Sequence, residues 1–455
     1  AVSTEETAPA AVFHLLGGKM RKATAEAPLS PLWQNIYGFF DENSQWQKRL
    51  SLLKQGIGKT AKPERLSPKT AKALYGKNIF SSVSRLERFA GCPFSFFAEY
   101  GLKAEERRLY QLNTPDLGSL FHEVLELFSN KLEQDSLPWT SLTKEETTAR
   151  IHAAVEDAAP RLGNRILLDS AANQYLIRRL KRISTRAAWT LVQHLQQGDF
   201  VPAGYEVGFG AHEALPPIVI RLQDGGSLIL NGKIDRVDLL DANGTHYVKI
   251  IDYKSGNKTF HFQDIYYGLQ LQLLVYLDAY LKYYKKTGAS FKPGGVFYFR
   301  ITDPTLALDE ELSAEAIEKI LYEKMRMSGL LLQEDVLIHG LDHSLAESRS
   351  SAIVPVGYTK KGDPTAASNL ATEEQYAAIL DFVATRTQEL GDAMKAGIIT
   401  PAPYRDGQRT PCSYCSYRSL CRHSYGEAPR WRKLKKIDKA DFWESITPKQ
   451  PPETE

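Results

Sequence analysis

The sequence predicts an α/β core set among longer helical stretches, and three observations predict it. Between residues 200 and 300, runs rich in branched and aromatic side chains alternate with turn signals, as strands do. A nearly all-apolar helical stretch, YYGLQLQLLVYLDAYLKYY (266–284), interrupts them, and another strand-like run, GGVFYFRI (294–301), follows. Helical periodicity dominates on both sides of this segment, and strands mixed with helices in one stretch mark an α/β layer.

Residues 1–80 read as helical stretches such as SPLWQNIYGFFDENSQWQKRLSLLKQ (30–55), followed by a Pro-, Lys- and Thr-rich segment. Gly58-Lys59-Thr60 imitates the end of a phosphate loop. The glycine required five positions earlier is Leu53, and no strand precedes it, so nucleotide binding is not expected there. From Ser82 to Leu102 a serine cap opens an apolar helical period. Residues 115–200 read as mostly helical and include the basic run RRLKRISTRAAW (178–189). Then come VPAGYEVGFG (201–210), SLILNGKIDRVDLL (227–240) and HYVKIIDYKSG (246–256), each read as one strand. Asp224-Gly225-Gly226 and Ala242-Asn243-Gly244 are the turns between them. Residues 301–410 read as helical with a polar loop near 356–372, and RWRKLKK (430–436) as a basic tail.

The 455 residues, 43% hydrophobic and 24% charged, suit roughly three domains at about 150 residues each. The expected division is 1–80, 81–426 and 427–455. This composition excludes a disordered tail, a collagen or a disulfide-dense miniprotein. A net charge of +3 selects no partner, so any nucleic-acid surface has to be local. No apolar run is long enough for a transmembrane helix. The first residues lack a basic n-region and an h-region, so no secretory signal is expected and the cytoplasm is the default compartment. The absent initiator Met leads us to expect a piece of a longer chain.

The four cysteines are Cys92, Cys412, Cys415 and Cys421, the last three spaced C-x2-C-x5-C. In a reducing compartment they read as one four-cysteine metal centre. Structural zinc prefers two close pairs, whereas the split here is one plus three. His423 stands close enough in sequence to replace a thiol, so both an iron–sulfur cluster and zinc remain open from spacing alone. Either would staple the Cys92 segment to the far end of the chain.

In VKIIDYKSG, Val248, Ile250, Asp252 and Lys254 share one strand face. The preceding strand supplies Asp235 and Asp238. If the two strands form a hairpin, Asp235 approaches Asp252, and paired carboxylates favour a cation between them. Hard oxygen ligands suit Mg2+ or Mn2+, and an adjacent lysine suits phosphodiester hydrolysis. A surface hairpin with solvated charges is the plain alternative for D-x-K by itself. In GSLFHEVLELF (118–128) a core stripe leaves His122 and Glu126 on another face. Gln270, Gln272 and Tyr276 are polar groups on an apolar helix and require partners.

The ordered set Gly118/His122, Gly232 to Asp238, Asp252 to Gly256 and Gln272/Tyr276 resembles the RecB-type nuclease branch of the PD-(D/E)XK superfamily. CPFSFFAEYGL (92–102) with PCSYCSYRSLC (411–421) is similar to its iron–sulfur-stapled members. These include AddB-type subunits of AddAB helicase–nucleases and CRISPR-associated RecB-like exonucleases. The resemblance covers about residues 80–425, and the length favours the C-terminal part of an AddB-type subunit.

The resemblance implies a central mixed sheet flanked by helices, with helical insertions. It implies that Asp235 and Asp252 bind Mg2+ or Mn2+ with His122 as a further ligand. Lys254 would be the catalytic lysine, and Gln272 and Tyr276 would support the site or contact DNA. It implies a structural [4Fe–4S] cluster on the four cysteines. The implied activity is a metal-dependent exonuclease that cuts single strands unwound by an AddA-type partner during double-strand break repair. A free-standing exonuclease and a catalytically silent DNA-binding scaffold of the same fold are the alternatives. The basic segments 178–186 and 430–436 are candidate linings of a DNA channel.

Overall fold

The structure is a computed structural model that describes residues 9–23, 27–57, 65–105, 114–160, 171–306, 311–421 and 431–447. Gly58-Lys59-Thr60, His423 and the expected boundary at 426/427 lie outside these residues. In chain order, four helices come first: α1 (Pro9–Lys22), α2 (Pro31–Glu42), α3 (Ser44–Ile57) and α4 (Pro68–Tyr75). Strand β1 (Asn78–Ser81) leads to α5 (Val83–Gly91), α6 (Pro93–Phe96), and the long helices α7 (Thr114–Gln134), α8 (Lys144–Ala158) and α9 (Ala171–Gln196). Strands β2 (Val201–Phe209), β3 (Ile218–Arg221), β4 (Ser227–Leu230), β5 (Gly232–Ala242) and β6 (Thr245–Lys254) follow. Then come α10 (Phe262–Tyr266), α11 (Gln272–Lys286), β7 (Phe291–Arg300), α12 (Ala314–Lys324), β8 (Ser328–Leu332) and α13 (Asp335–Leu341). The chain continues through β9 (Leu370–Ala371), α14 (Glu373–Lys395), β10 (Tyr404–Arg405), α15 (Arg418–Cys421), β11 (Arg432–Lys433) and α16 (Lys439–Ile446).

These elements form two compact units, each discontinuous in sequence. One draws on residues 1–76, 88–106 and 393–435, the other on 77–87, 107–392 and 436–455. In the first, α1 to α3 close around Leu16, Phe40 and Leu50, with Phe13 and Trp46 packed against them. Pro31 and Pro68 open their helices where a missing N–H costs nothing. The Ser67 hydroxyl caps α4 by accepting from the Thr70 N–H at 3.1 Å.

The second unit is built on a six-stranded mixed sheet in the order β2-β5-β6-β7-β8-β9. Both β2/β5 and β5/β6 are antiparallel, β6/β7 is parallel, β7/β8 antiparallel and β8/β9 parallel. The β5–β6 hairpin turns on Asn243 and Gly244, both at positive φ (51° and 76°), the requirement of a tight primed turn. The parallel β6–β7 pair requires a crossover, which α10 and α11 provide. The core stripe of α7 is as the period predicts: Phe121, Val124, Leu125 and Phe128 are buried.

Three expectations change. The run 227–240 is two strands, because Asn231 turns its N–H to Ser81 O (3.1 Å) and β4 joins a separate three-stranded sheet, β1-β4-β3. The apolar stretch 266–284 is broken at Gly268, whose φ of 74° ends a helix, so α11 starts at Gln272. The 301–410 segment contributes β8 and β9 to the main sheet besides its helices. No helix among the described residues is long and apolar enough to cross a membrane.

Candidate active site

Three adjacent strands place three acids in one row. Tyr205 pairs with Arg236 and Val207 with Ile234, so Glu206 on β2 faces Asp235 on β5. Arg236 pairs with Ile251, and the register continued by one residue sets Asp235 opposite Asp252 on β6. Asp235 Oδ2 accepts the Tyr253 backbone N–H at 2.5 Å, tying β5 and β6 together where their backbone pairing ends. His122, projecting from α7, brings Nδ1 to 3.4 Å from Asp235 Oδ1 and 4.0 Å from Glu206 Oε1. His122, Glu206 and Asp235 offer ligand atoms all within 4.8 Å of one another, a spacing a single metal ion spans. The Lys254 ammonium pairs with Asp252 Oδ2.

Positive charge is short in this row. Burial, then the charge of Asp235, pushes the Asp252 carboxyl well above the ordinary carboxylate range. Burial, then Asp235 and Glu126, pushes Glu206 up to about 7. Burial opposes protonation of His122, but its bond to Asp235 outweighs that and raises it. The same balance raises Lys254, held charged by Asp252 and Asp235. Asp252 is 3% exposed and Asp235 8%, so little water screens them.

The surrounding residues explain the glycines. The Tyr276 hydroxyl packs against the Gly232–Lys233 backbone, and a Cβ at Gly232 would overlap it. A Cβ at Gly118 would press on Ser255 Oγ at 3.1 Å, so α7 approaches the end of β6 closely. Gln272 makes its observed contact through the backbone. Its N–H and that of Leu271 donate to Glu87 Oε1 (3.1 and 2.8 Å), so Glu87 caps α11. Lys258 holds the other Glu87 oxygen at 3.2 Å. Gln270 is a structural glutamine that accepts from His261 N–H and donates to Thr259 O.

Asp238 is turned away from this row. Strand alternation puts Arg236, Asp238 and Lys249 on the opposite face, all buried. Arg236 grips Asp238 through two bonds (2.6 and 3.0 Å), and Lys249 reaches it at 2.9 Å. Glu206 and Glu87 escaped the sequence reading. Glu206 lies between Gly204 and Gly208, a hint only of an irregular strand.

The first unit gathers the cysteines. Cys92, Cys412, Cys415 and Cys421 line one small pocket with Phe94, Pro401 and Pro403. Cys92 is the N-cap residue of α6, and its side chain makes no cap hydrogen bond. Burial pushes this thiol up to about 11. No three of the four sulfurs lie within 4.8 Å of one another.

Residues 81–422 match the model of the PD-(D/E)XK nuclease superfamily. Residues 7–56 match that of the ATP-dependent helicase/deoxyribonuclease AddB fifth domain. The chain is 39% identical over 443 residues to a subunit of an ATP-dependent helicase/deoxyribonuclease from Alkaliphilus oremlandii (strain OhILAs), covering 97% of this chain and 38% of the relative. It is 40% identical to the subunit of the same name from Alkaliphilus metalliredigens (strain QYMF), covering 91% of this chain and 36% of the relative. The chain thus spans little more than a third of the length of these curated relatives. With three quarters of its length under the nuclease model and the acids and lysine in one row, the chain belongs to the PD-(D/E)XK nuclease superfamily.

Proposed function

We propose that the chain is the nuclease part of an AddAB-type helicase–nuclease. It cuts single DNA strands that an AddA-type partner has unwound at double-strand breaks, and it works in the cytoplasm, where its thiols stay reduced. The observation that carries this is the row Glu206, Asp235 and Asp252, flanked by His122 and Lys254. The names of the relatives support the DNA substrate and the partner.

A divalent cation, Mg2+ or Mn2+, fits this donor set of hard oxygens and one imidazole. The raised Asp252 and Glu206 carboxyls mark a deficit of positive charge that such an ion makes good. His122, Glu206, Asp235 and Asp252 would hold it. Bound there, it supplies Lewis-acid polarisation of a phosphate oxygen and an acidified water. Lys254 holds a phosphate oxygen and stabilises the charge that builds on it during cleavage. Tyr276 braces the start of the strand that carries Asp235, and Gln272 is assigned to the same support.

The cysteine pocket is assigned to a [4Fe–4S] cluster with a structural role. Four thiols lining one pocket favour a soft metal centre.

The test is iron content and single-strand cleavage of anaerobically purified protein, before and after EDTA. We expect cleavage to vanish on chelation and return with Mg2+, while the iron chromophore persists. Cleavage that survives exhaustive chelation contradicts the metal assignment, and protein without iron contradicts the cluster.

A further inference from the structure

A cavity of about 420 Å3 lies in the second unit between α8, α9 and α12, within the ordinary size range of ligand sites, ~300–1,000 Å3. Its wall carries Lys144, Arg178, Lys181, Arg182, Arg186 and Trp189, against one carboxylate, Glu318. The pattern comes from one helix. Arg178, Arg182 and Arg186 recur every fourth residue of α9, and Lys181, Thr185 and Trp189 form the neighbouring row. Side chains in each row therefore stand about 6 Å apart along the axis.

Part of this charge is fixed in place. Asp303 holds Arg182 at 2.7 Å and Arg186 at 3.4 Å, and Glu156 holds Lys181 at 2.6 Å. Glu318 also reaches Lys144 at 3.8 Å and Arg186 at 3.9 Å, so three acids orient four of the five cations and the wall keeps a positive excess. Thr185 Oγ1 is buried without a hydrogen-bond partner among the described residues. Such groups are costly unless something pairs with them.

The cavity is tied to the catalytic strands. Lys254 pairs in register with Arg300, and the Ile301 N–H donates to Lys254 O at 2.9 Å. Asp303, the anchor of two cavity arginines, is two residues further on, a reach of at most about 7 Å.

We propose that this cavity is a second subsite for the DNA strand, remote from the bond that is cut. One base lies against Trp189, and the adjoining phosphates lie on the arginine row. Base–aromatic stacking beside a cationic track is the general chemistry of single-strand binding. The proposal rests on the nuclease reading above and adds to it how the strand is held.

The experiment measures binding of a labelled twelve-residue oligothymidylate to the full chain in EDTA across a salt series. Hydrolysis of bis(p-nitrophenyl) phosphate in Mg2+ is measured alongside. Trp189→Ala should weaken oligonucleotide binding by about tenfold. Arg178→Ala/Arg182→Ala should flatten the plot of log affinity against log salt by about 1.4, two lost phosphate contacts on a single strand. Both variants should hydrolyse the small diester at the parent rate, since it is too short to span the two places. Unchanged affinity and salt slope in both overturn the subsite. If the parent binds through the cavity but hydrolyses no diester, the subsite stands and the nuclease reading falls. Photocrosslinking of the parent with a 5-iododeoxyuridine oligonucleotide guards against a variant that misfolds. Crosslinks on the peptide holding Trp189 support the subsite, and their absence there overturns it. Thymidine monophosphate competing as well as the twelve-mer also overturns it, because the cavity would then be a mononucleotide site.

Discussion

Glu206 stands at a φ of 48° on β2, directly opposite Asp235 on β5. A non-glycine residue in the left-handed region costs about 1–2 kcal/mol, and such positions persist where the surrounding structure over-determines them. Here the distortion turns a carboxylate toward Asp235 and His122. Burial and its acidic neighbours push Glu206 from the ordinary 4.5 up to about 7. An acid with a raised folded pKa binds its proton more tightly when folded. Without metal, this group therefore destabilises the chain progressively as pH rises from about 4.5 through 7. Glu206→Gln should unfold at a higher temperature than the parent at pH 8 in EDTA, and at the same temperature near pH 4.5. Added Mg2+ should raise the parent more than the variant. Identical unfolding at pH 8 would remove Glu206 from the metal site.

How much of this was legible in the sequence follows from the period of a strand. Asp252 and Lys254 are two apart, so their shared face could be read directly, and the Asn243-Gly244 turn set the hairpin that brings Asp235 across. Glu206 could not be read, because its place depends on a third strand joining in register and on one unusual φ. Glu87 acts across 184 residues on the N–H groups of α11, a contact no local pattern encodes. The strands β8 and β9 are short, five and two residues, too brief for alternation to register. The cysteines were legible as a set because four thiols in so long a chain have few other uses, and the structure gathers them in one pocket.

Lys254→Ala and Asp252→Asn should each lower the single-strand cleavage rate by at least about a thousandfold, with folding retained. On the roles proposed above, each would remove several kcal/mol of transition-state stabilisation, Lys254 from the phosphate contact and Asp252 from the metal ligand set. Single-turnover rates at saturating Mg2+ are the measurement. A Lys254→Ala protein that cuts at near-parental rate would sink the assignment.

Asp238 is only three residues from Asp235 and should behave in the opposite way. It is fully buried between Arg236 and Lys249 on the other sheet face. Burial favours its neutral form, but these two cations outweigh that and lower its pKa. Removing the carboxylate leaves two buried cations uncompensated, a loss of about 3–5 kcal/mol. Asp238→Ala should therefore unfold at much lower denaturant while keeping its Mg2+ affinity wherever it remains folded. Asp235→Ala should lose Mg2+ affinity with a smaller change in stability. Denaturant titrations with metal-binding isotherms separate the two, and a stable Asp238→Ala protein would show that the buried network contributes little.

Cys92 lies 320 positions before Cys412 in sequence, yet both line one pocket with Cys415 and Cys421. A cluster on these four ligands closes a loop through most of the chain. Closing so long a loop restricts the unfolded ensemble by several kcal/mol on the chain-entropy estimate made for disulfides, and metal binding couples directly to folding. The buried Cys92 thiol, pushed up to about 11, stays protonated near neutral pH unless a metal displaces its proton. Cys92→Ala should therefore act like Cys421→Ala despite the distance in sequence, with less iron per chain, a lower unfolding temperature and earlier proteolysis. Mg2+ affinity at the carboxylates should fall less than stability does, because none of the cysteines belongs to that ligand set. Iron analysis, visible absorbance and thermal unfolding of both variants make the comparison. If Cys92→Ala keeps its full iron and unfolds like the parent, Cys92 is not a ligand, and the remaining three thiols have to hold their metal without closing the loop.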